Sequence, residues 1–259
     1  MKNEATNIIF VVDETLAKRV LDTVDAGLVS GIGDPIPGQM CVEAAVCYAM
    51  GLEHSDKPTC VTDVVRRFKI ELNDSVWLSK QSRAAGLRKI AIAQLGSRDA
   101  IVPSQFIFKV RDAVARRILP IALRNLGLFG YADRLEAEGV ATDSEVLAAC
   151  YQTLLHHQDR SGGVVAYAMD AFYAFMFNLD EVGAPIARVA SMIRADTMLK
   201  GGRDPMTYFY SKETLKCSSE EAEKILNIGA DIGLQALIEL GSPGCQFLYL
   251  CDNDKKDAS

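Results

Sequence analysis

The chain has 259 residues, 49% of them apolar, which is enough for one large domain or two small ones around a sizeable core. Lys and Arg number 28 and Asp and Glu 34, and the resulting net charge of −6 does not favour nucleic acid as a partner. Seven cysteines without a CxxC pair predict reduced thiols and a cytoplasmic location.

Neither the first residues of the chain nor its most apolar stretch indicates a membrane. The first residues, MKNEATNIIFVVDE, contain too short an apolar run for a signal peptide. The longest apolar stretch, Val164–Leu179, is interrupted by Asp170 and is shorter than a membrane span. We therefore expect no membrane partner.

Helix signals recur along the chain. Ile8–Val12 is a short β-branched run that predicts an extended segment, and Asp13 then caps a helix that Gly27 ends. After a loop with two prolines, a helix is predicted at Met40–Met50. Further helices are predicted at Thr62–Leu72, Leu87–Leu95, Gln105–Leu126 with a kink or a split at Pro120, Tyr131–Glu138, Ser144–His157, Val164–Val182, Pro185–Leu199 and Ser219–Leu240. The last begins at Ser218-Ser219-Glu220-Glu221, which has the spacing of a capping box.

These elements predict an all-α fold of about ten helices with almost no strand. Residues 1–259 are interpreted as a single all-helical domain. A subdomain junction is placed near 160–163, where glycines cluster, and a flexible tail at 252–259.

The segment from Met40 to Cys60 concentrates the residues that can do chemistry. Cys41 lies at a helix start, where the dipole favours a thiolate. Glu43 is the one charge of an apolar helix, and His54 and Asp56 follow shortly after it.

Three interpretations of this segment remain. The first is a hydrolase or transferase with Cys41 as nucleophile, activated by a distant histidine such as His156 or His157. The second is a metal site, although the spacing matches no zinc pattern. Its ligands would be Cys41, Glu43, Cys47, His54 and Cys60. The third is structural and is favoured: buried thiols, Glu43 paired with Arg66 or Arg67, and Asp56 capping the next helix.

Asp170 lies inside an otherwise apolar helix, where Ala166 and Ala174 form a small-residue stripe around it. Core packing, with the carboxylate paired to Arg188 or Arg194 and bonded by nearby tyrosines, is the first interpretation. A contact between subunits is the second, and an anchor in an apolar ligand pocket is the third.

Several segments resemble an uncharacterised family of all-helical proteins of bacteria and their phages. The segments are DPIPGQMCVEAAVCYAMGLEHSD, FKIELND, GLRKIAIAQLGS, ILPIALR and GLQALIELGSPGCQFLYL. The resemblance implies an all-α domain in a mobile-element context and transfers no activity and no catalytic residue.

The residue patterns favour a non-enzymatic binding protein, and the mobile-element context implied by the resemblance suggests a phage or mobile-element accessory with a counter-defence role. It would bind a host protein or sequester a small molecule without a cofactor or metal. A ligand would lie between the Met40–Met50 and Val164–Val182 helices, against Glu43, His54, Asp56 and Asp170. The alternatives are the Cys41 enzyme and a homo-oligomeric assembly protein.

Overall fold

Helices make up the fold, as a computed structural model of residues 11–137, 144–157, 163–200 and 212–253 shows. In chain order they are α1 Glu14–Asp25, α2 Val42–Ala49, α3 Asp63–Asp74, α4 Lys80–Ala93, α5 Ser97–Ala100, α6 Pro103–Arg117, α7 Leu119–Asn125, α8 Phe129–Glu136, α9 Ser144–His157, α10 Gly163–Phe177, α11 Ala184–Lys200, α12 Lys212–Glu239, a 3-10 helix Pro243–Phe247 and α13 Leu250–Asn253. The all-α prediction is confirmed.

The predicted helix boundaries at the start of the chain agree with the structure. Asp13 is the N-cap of α1, and its carboxylate accepts a hydrogen bond from Leu16 N at 2.7 Å. Gly27 follows the helix with a φ of 108°, a conformation that other residues rarely adopt. Ile8 to Phe10 of the predicted extended segment lie outside the described residues, as do the junction at 160–162 and the tail from 254.

Pro120 divides the predicted Gln105–Leu126 helix as expected. Its ring cannot be accommodated in the interior of a continuous helix, and α6 therefore ends at Arg117 while α7 begins at Leu119. Ile118 joins the two with a ψ of −53° and a φ of −107°.

The capping-box prediction at Ser218-Ser219-Glu220-Glu221 is wrong, because α12 begins earlier, at Lys212. Ser218 and Ser219 lie inside the helix, where both hydroxyls donate to the carbonyl of Leu215. Serine in a helix interior commonly satisfies its hydroxyl in this way.

The long helix α12 lies at the centre of the packing, against α3, α4, α6 and α11. Two of its glycines permit close approach. A Cβ on Gly233 would lie 2.2 Å from Phe68 Cε1 on α3, and one on Gly229 would lie 2.6 Å from Ile186 Cγ2 on α11. Phe68 also packs edge-on against Phe106 of α6, with ring centroids 5.7 Å apart.

The helices divide into two neighbourhoods that matter for the site. α2 packs against α1, α3 and α4, whereas α10 packs against α9, α11 and α7. Among the described helices, none is long and apolar enough to cross a bilayer.

Candidate functional site

Glu43, the one charged residue of α2, forms a fully buried ion pair. Lys69 Nζ lies 2.9 Å from Glu43 Oε1, and both side chains have 0% exposure. α3 directs Lys69 inward because Val65 and Leu72, four residues before and three after it, lie on the same buried helix face. The pair therefore lies between α2 and α3 inside the core, out of reach of any dissolved substrate.

The prediction that Arg66 or Arg67 pairs with Glu43 is wrong. Both arginines instead bind the carboxylate of Asp63, at 2.8 Å, near the start of their own helix. Of the three cations only Lys69 pairs with Glu43. The side chains of Arg66 and Arg67, with 15% and 50% exposure, lie against Asp63.

Burial opposes the charge on both members of the pair. It raises the pKa of Glu43 and lowers the pKa of Lys69, while their mutual attraction acts in the opposite sense on each. The ammonium and carboxylate are in contact without the alignment of a hydrogen bond, and the buried amide of Gln94 also lacks an aligned partner among the described residues. The cluster is therefore a structural element with an energetic cost.

Cys41 is the N-cap of α2, and the prediction that this position favours a thiolate is wrong. Its Sγ accepts from Ala44 N at 3.3 Å, but the side chain is buried, and burial raises the pKa of the thiol to about 11. Cys47, one turn further on, has its pKa raised to about 12 by the same cause. Neither thiol is prepared to act as a nucleophile near neutral pH.

The two histidine side chains that the structure describes do not complete a catalytic arrangement with Cys41. His54 Nε2 lies 2.9 Å from the carbonyl of Gly33, and His156 on α9 lies 2.7 Å, through Nδ1, from the carbonyl of Gln152. The side chain of His157 lies outside the described part of the chain. Among the described residues no three His, Cys, Asp or Glu side chains converge as a metal site would require.

Asp56 has a different role from the predicted one. Its carboxylate lies 3.5 Å from Arg66 NH1, and the N-cap of α3 is Thr62, six residues further along the chain. Asp56 therefore links the loop before α3 to the side of that helix.

The four residues predicted to surround one ligand are not brought together. Glu43 is buried between α2 and α3, and His54 and Asp56 belong to the loop between those helices. Asp170 lies on α10, in the other neighbourhood of the fold. The prediction of a shared pocket between α2 and α10 is wrong, because those helices pack against different neighbours.

Asp170 is exposed, so its predicted pairing with Arg188 or Arg194 in the core is also wrong. Residues Ala166, Asp170, Tyr173 and Phe177 recur at intervals of four, three and four, which places them on one side of α10. All four are exposed, and we call this surface the α10 face. Ala174, a member of the predicted small-residue stripe, points into the core instead.

Two aromatic rings dominate the α10 face. Tyr173 and Phe177 have 51% and 61% exposure, and their ring centroids lie 4.9 Å apart. The opposite side of the helix is anchored in the core: Phe172 and Phe175 are buried, and the guanidinium of Arg111 lies 4.3 Å from the Phe175 ring and donates to its carbonyl. The helix is thus packed into the core on one side, while its aromatic side is exposed to solvent.

The buried Lys69 and the two rings of the α10 face are not among the residues that the sequence predicted for a site. Lys69 has a sequence signal, since it shares the periodicity of the buried residues Val65 and Leu72. The α10 face has a weaker one: apart from Asp170, α10 is apolar on every side, so this one carboxylate is the sequence signal for the exposed side.

Comparison with protein-family models, curated proteins and solved structures finds no match for this chain.

Proposed function

We propose that this protein acts by binding another protein, and that the α10 face is its contact surface. The observation that carries the proposal is the exposure of Tyr173 and Phe177, at 51% and 61%, on a helix whose opposite side is already packed. Burial of aromatic side chains is favourable, and these side chains are enriched at interfaces and supply many binding hot spots.

The chemistry of the face points to a partner that is both apolar and basic. Asp170 lies among the aromatic residues, and beyond the helix Leu179, with 56% exposure, is followed by the exposed Asp180. A carboxylate that is covered by a partner without a compensating charge is costly. The partner should therefore place Lys or Arg opposite Asp170 and apolar side chains over the rings.

The same carboxylate argues against a second copy of this chain as the occupant. A symmetric dimer applies the same patch twice. Packing one α10 face on another would bring two Asp170 carboxylates into the contact, with no cation on the face to compensate them. A different protein with a basic surface meets no such repulsion.

The resemblance to a family of bacterial and phage proteins supports a host protein as this partner. Binding to a host component would suit an accessory protein with a counter-defence role. The alternative of a Cys41 enzyme receives no support from the buried thiol, and the pocket predicted for a sequestered ligand at Glu43 and Asp170 has no counterpart in the packing.

Affinity capture followed by a binding titration tests the proposal. Tagged wild-type protein is used to capture proteins from the cell that harbours the gene, and each purified candidate is titrated calorimetrically. The Tyr173→Ala, Phe177→Ala double variant should bind about 100-fold more weakly, if each ring contributes about 1.4 kcal/mol.

Phe108→Ala is the matched control, because Phe108 on α6 is exposed to a similar extent, 66%, away from the α10 face. Its affinity should equal that of the wild type. Asp170→Arg should weaken binding to a basic partner, whereas Asp22→Arg on α1 should not. A genuine partner whose affinity the double variant leaves unchanged would contradict the proposal.

A further inference from the structure

A second surface feature, separate from the α10 face, is a cavity of about 320 Å³ beside α11. It is lined by Ser75, Val76, Tyr167, Ala190, Ser191, Arg194, Ala195, Met198 and Ala222. α10 and α12 form its sides together with the end of α3. Its volume lies at the lower end of the range of small-molecule sites, about 300 to 1,000 Å³.

Arg194 is the one cationic side chain of the lining. Its Nε is buried and has no hydrogen-bond partner among the described residues, and no carboxylate in the described part of the chain forms an ion pair with it. Glu223, which follows the lining residue Ala222 on α12, is engaged elsewhere, since it accepts from Leu78 N at 3.0 Å. A partly buried guanidinium without an anion is costly and remains able to bind one.

The other polar side chains of the cavity determine which further hydrogen bonds a ligand can form. The hydroxyls of Ser75 and Ser191 donate to the carbonyls of Glu71 and Ala187, at 2.8 and 2.9 Å, so that only their oxygen lone pairs remain free. The described residues offer no acceptor for the Tyr167 hydroxyl, which can donate. Arg194 and Tyr167 are therefore the donors that an anionic group would use.

We propose that this cavity binds a small molecule that has one carboxylate and an apolar body. The two terminal nitrogens of a guanidinium can hold a carboxylate through two parallel hydrogen bonds, and this contact does not require the buried Nε of Arg194. A phosphate, with its higher charge, would be expected to meet more donors than this lining offers. Val76, Met198 and the alanines provide the apolar surface for the rest of the molecule.

The proposal is independent of the proposed function, because Tyr167 lies on a different side of α10 from Tyr173 and Phe177. A variant of the α10 face can therefore be tested for ligand binding in its own right. We expect the Tyr173→Ala, Phe177→Ala variant to bind the ligand as the wild type does.

Titration of hexanoate into the full chain, followed by nuclear magnetic resonance of the backbone amides, tests the site. Hexanoate should shift the amide signals of residues around Ser191 and Arg194 in a saturable manner. Hexanamide, of the same shape but without charge, should bind at least 10-fold more weakly, and inorganic phosphate should not displace hexanoate.

Arg194→Gln should weaken hexanoate binding at least 10-fold, and Arg194→Lys, which keeps the charge but loses the planar fork, should be intermediate. Arg188→Gln is the control, because Arg188 is exposed on the same helix and is not part of the lining. Absence of saturable shifts in the wild type, preferential phosphate binding, or unchanged affinity in a folded Arg194→Gln variant would each overturn the proposal.

Discussion

At the scale of single residues, two contributions to the stability of the buried Glu43–Lys69 pair oppose each other. Removing the two charges from water costs free energy, and their close contact stabilises the pair. Removing one partner leaves a buried charge alone, whereas replacing both by apolar side chains removes the cost together with the attraction. We therefore expect the pair to affect how α2 and α3 pack together more than it affects the free energy of unfolding.

Lys69→Met should lower the free energy of unfolding by about 3 to 5 kcal/mol, because it leaves the Glu43 carboxylate buried without a cation. Urea denaturation followed by circular dichroism measures the change. The Glu43→Leu, Lys69→Met double variant should recover most of the loss. A double variant no more stable than Lys69→Met alone would show that the pair itself holds the helices together.

The seven cysteines should differ sharply in reactivity. Cys217 is exposed on α12, whereas Cys41, Cys47, Cys60, Cys150 and Cys251 are buried. With iodoacetamide at neutral pH, Cys217 should be alkylated first and Cys41 only after unfolding, as peptide mass spectrometry would show. Rapid labelling of Cys41 in the folded protein would restore the enzyme interpretation.

Alkaline pH should weaken the fold through the same buried thiols. Burial raises the pKa of Cys47 from 9.0 to about 12, so the unfolded chain loses this proton at a lower pH than the folded one. The stabilisation is complete below pH 9 and is lost as the pH rises towards 12. Between these values, the free energy of unfolding of the wild type should fall more steeply than that of Cys47→Ala.

At the scale of helices, the glycines of α12 set how closely it approaches its neighbours. Gly233→Ala should destabilise the protein by about 1 to 3 kcal/mol, because the new methyl group would overlap the Phe68 ring. Thermal denaturation measures the loss. Gly130→Ala on α8, where no atom lies within 4 Å of the new methyl, should be neutral or stabilising by up to about 1 kcal/mol. Equal effects at the two positions would rule out a packing role for Gly233.

The sequence predicts the helices better than it predicts their exposed sides. Asp13, Gly27 and Pro120 mark boundaries because capping, positive φ and the missing amide are local properties. The burial of Lys69 and the exposure of Asp170 depend on which helices pack together. Contacts between residues distant in the chain decide which helices pack together. Because α10 is apolar on nearly every side, its periodicity gives little information about which side is buried.

At the scale of the whole molecule, Asp170 should keep the protein from associating with itself through the α10 face. The wild type should be monomeric by light scattering at micromolar concentration. Asp170→Leu should shift it towards a dimer, because the substitution leaves an uninterrupted apolar face. A wild-type oligomer that Asp170→Leu dissociates would favour the assembly interpretation instead.

Photo-crosslinking tests the central claim, that the α10 face binds a partner protein, most directly. A photoreactive phenylalanine analogue is placed at position 173, or at position 108 as a control that is at least as exposed, and the cells that harbour the gene are irradiated. The account predicts a covalent adduct with one distinct protein from position 173 and none from position 108. Adducts from position 108 without any from position 173 would contradict it.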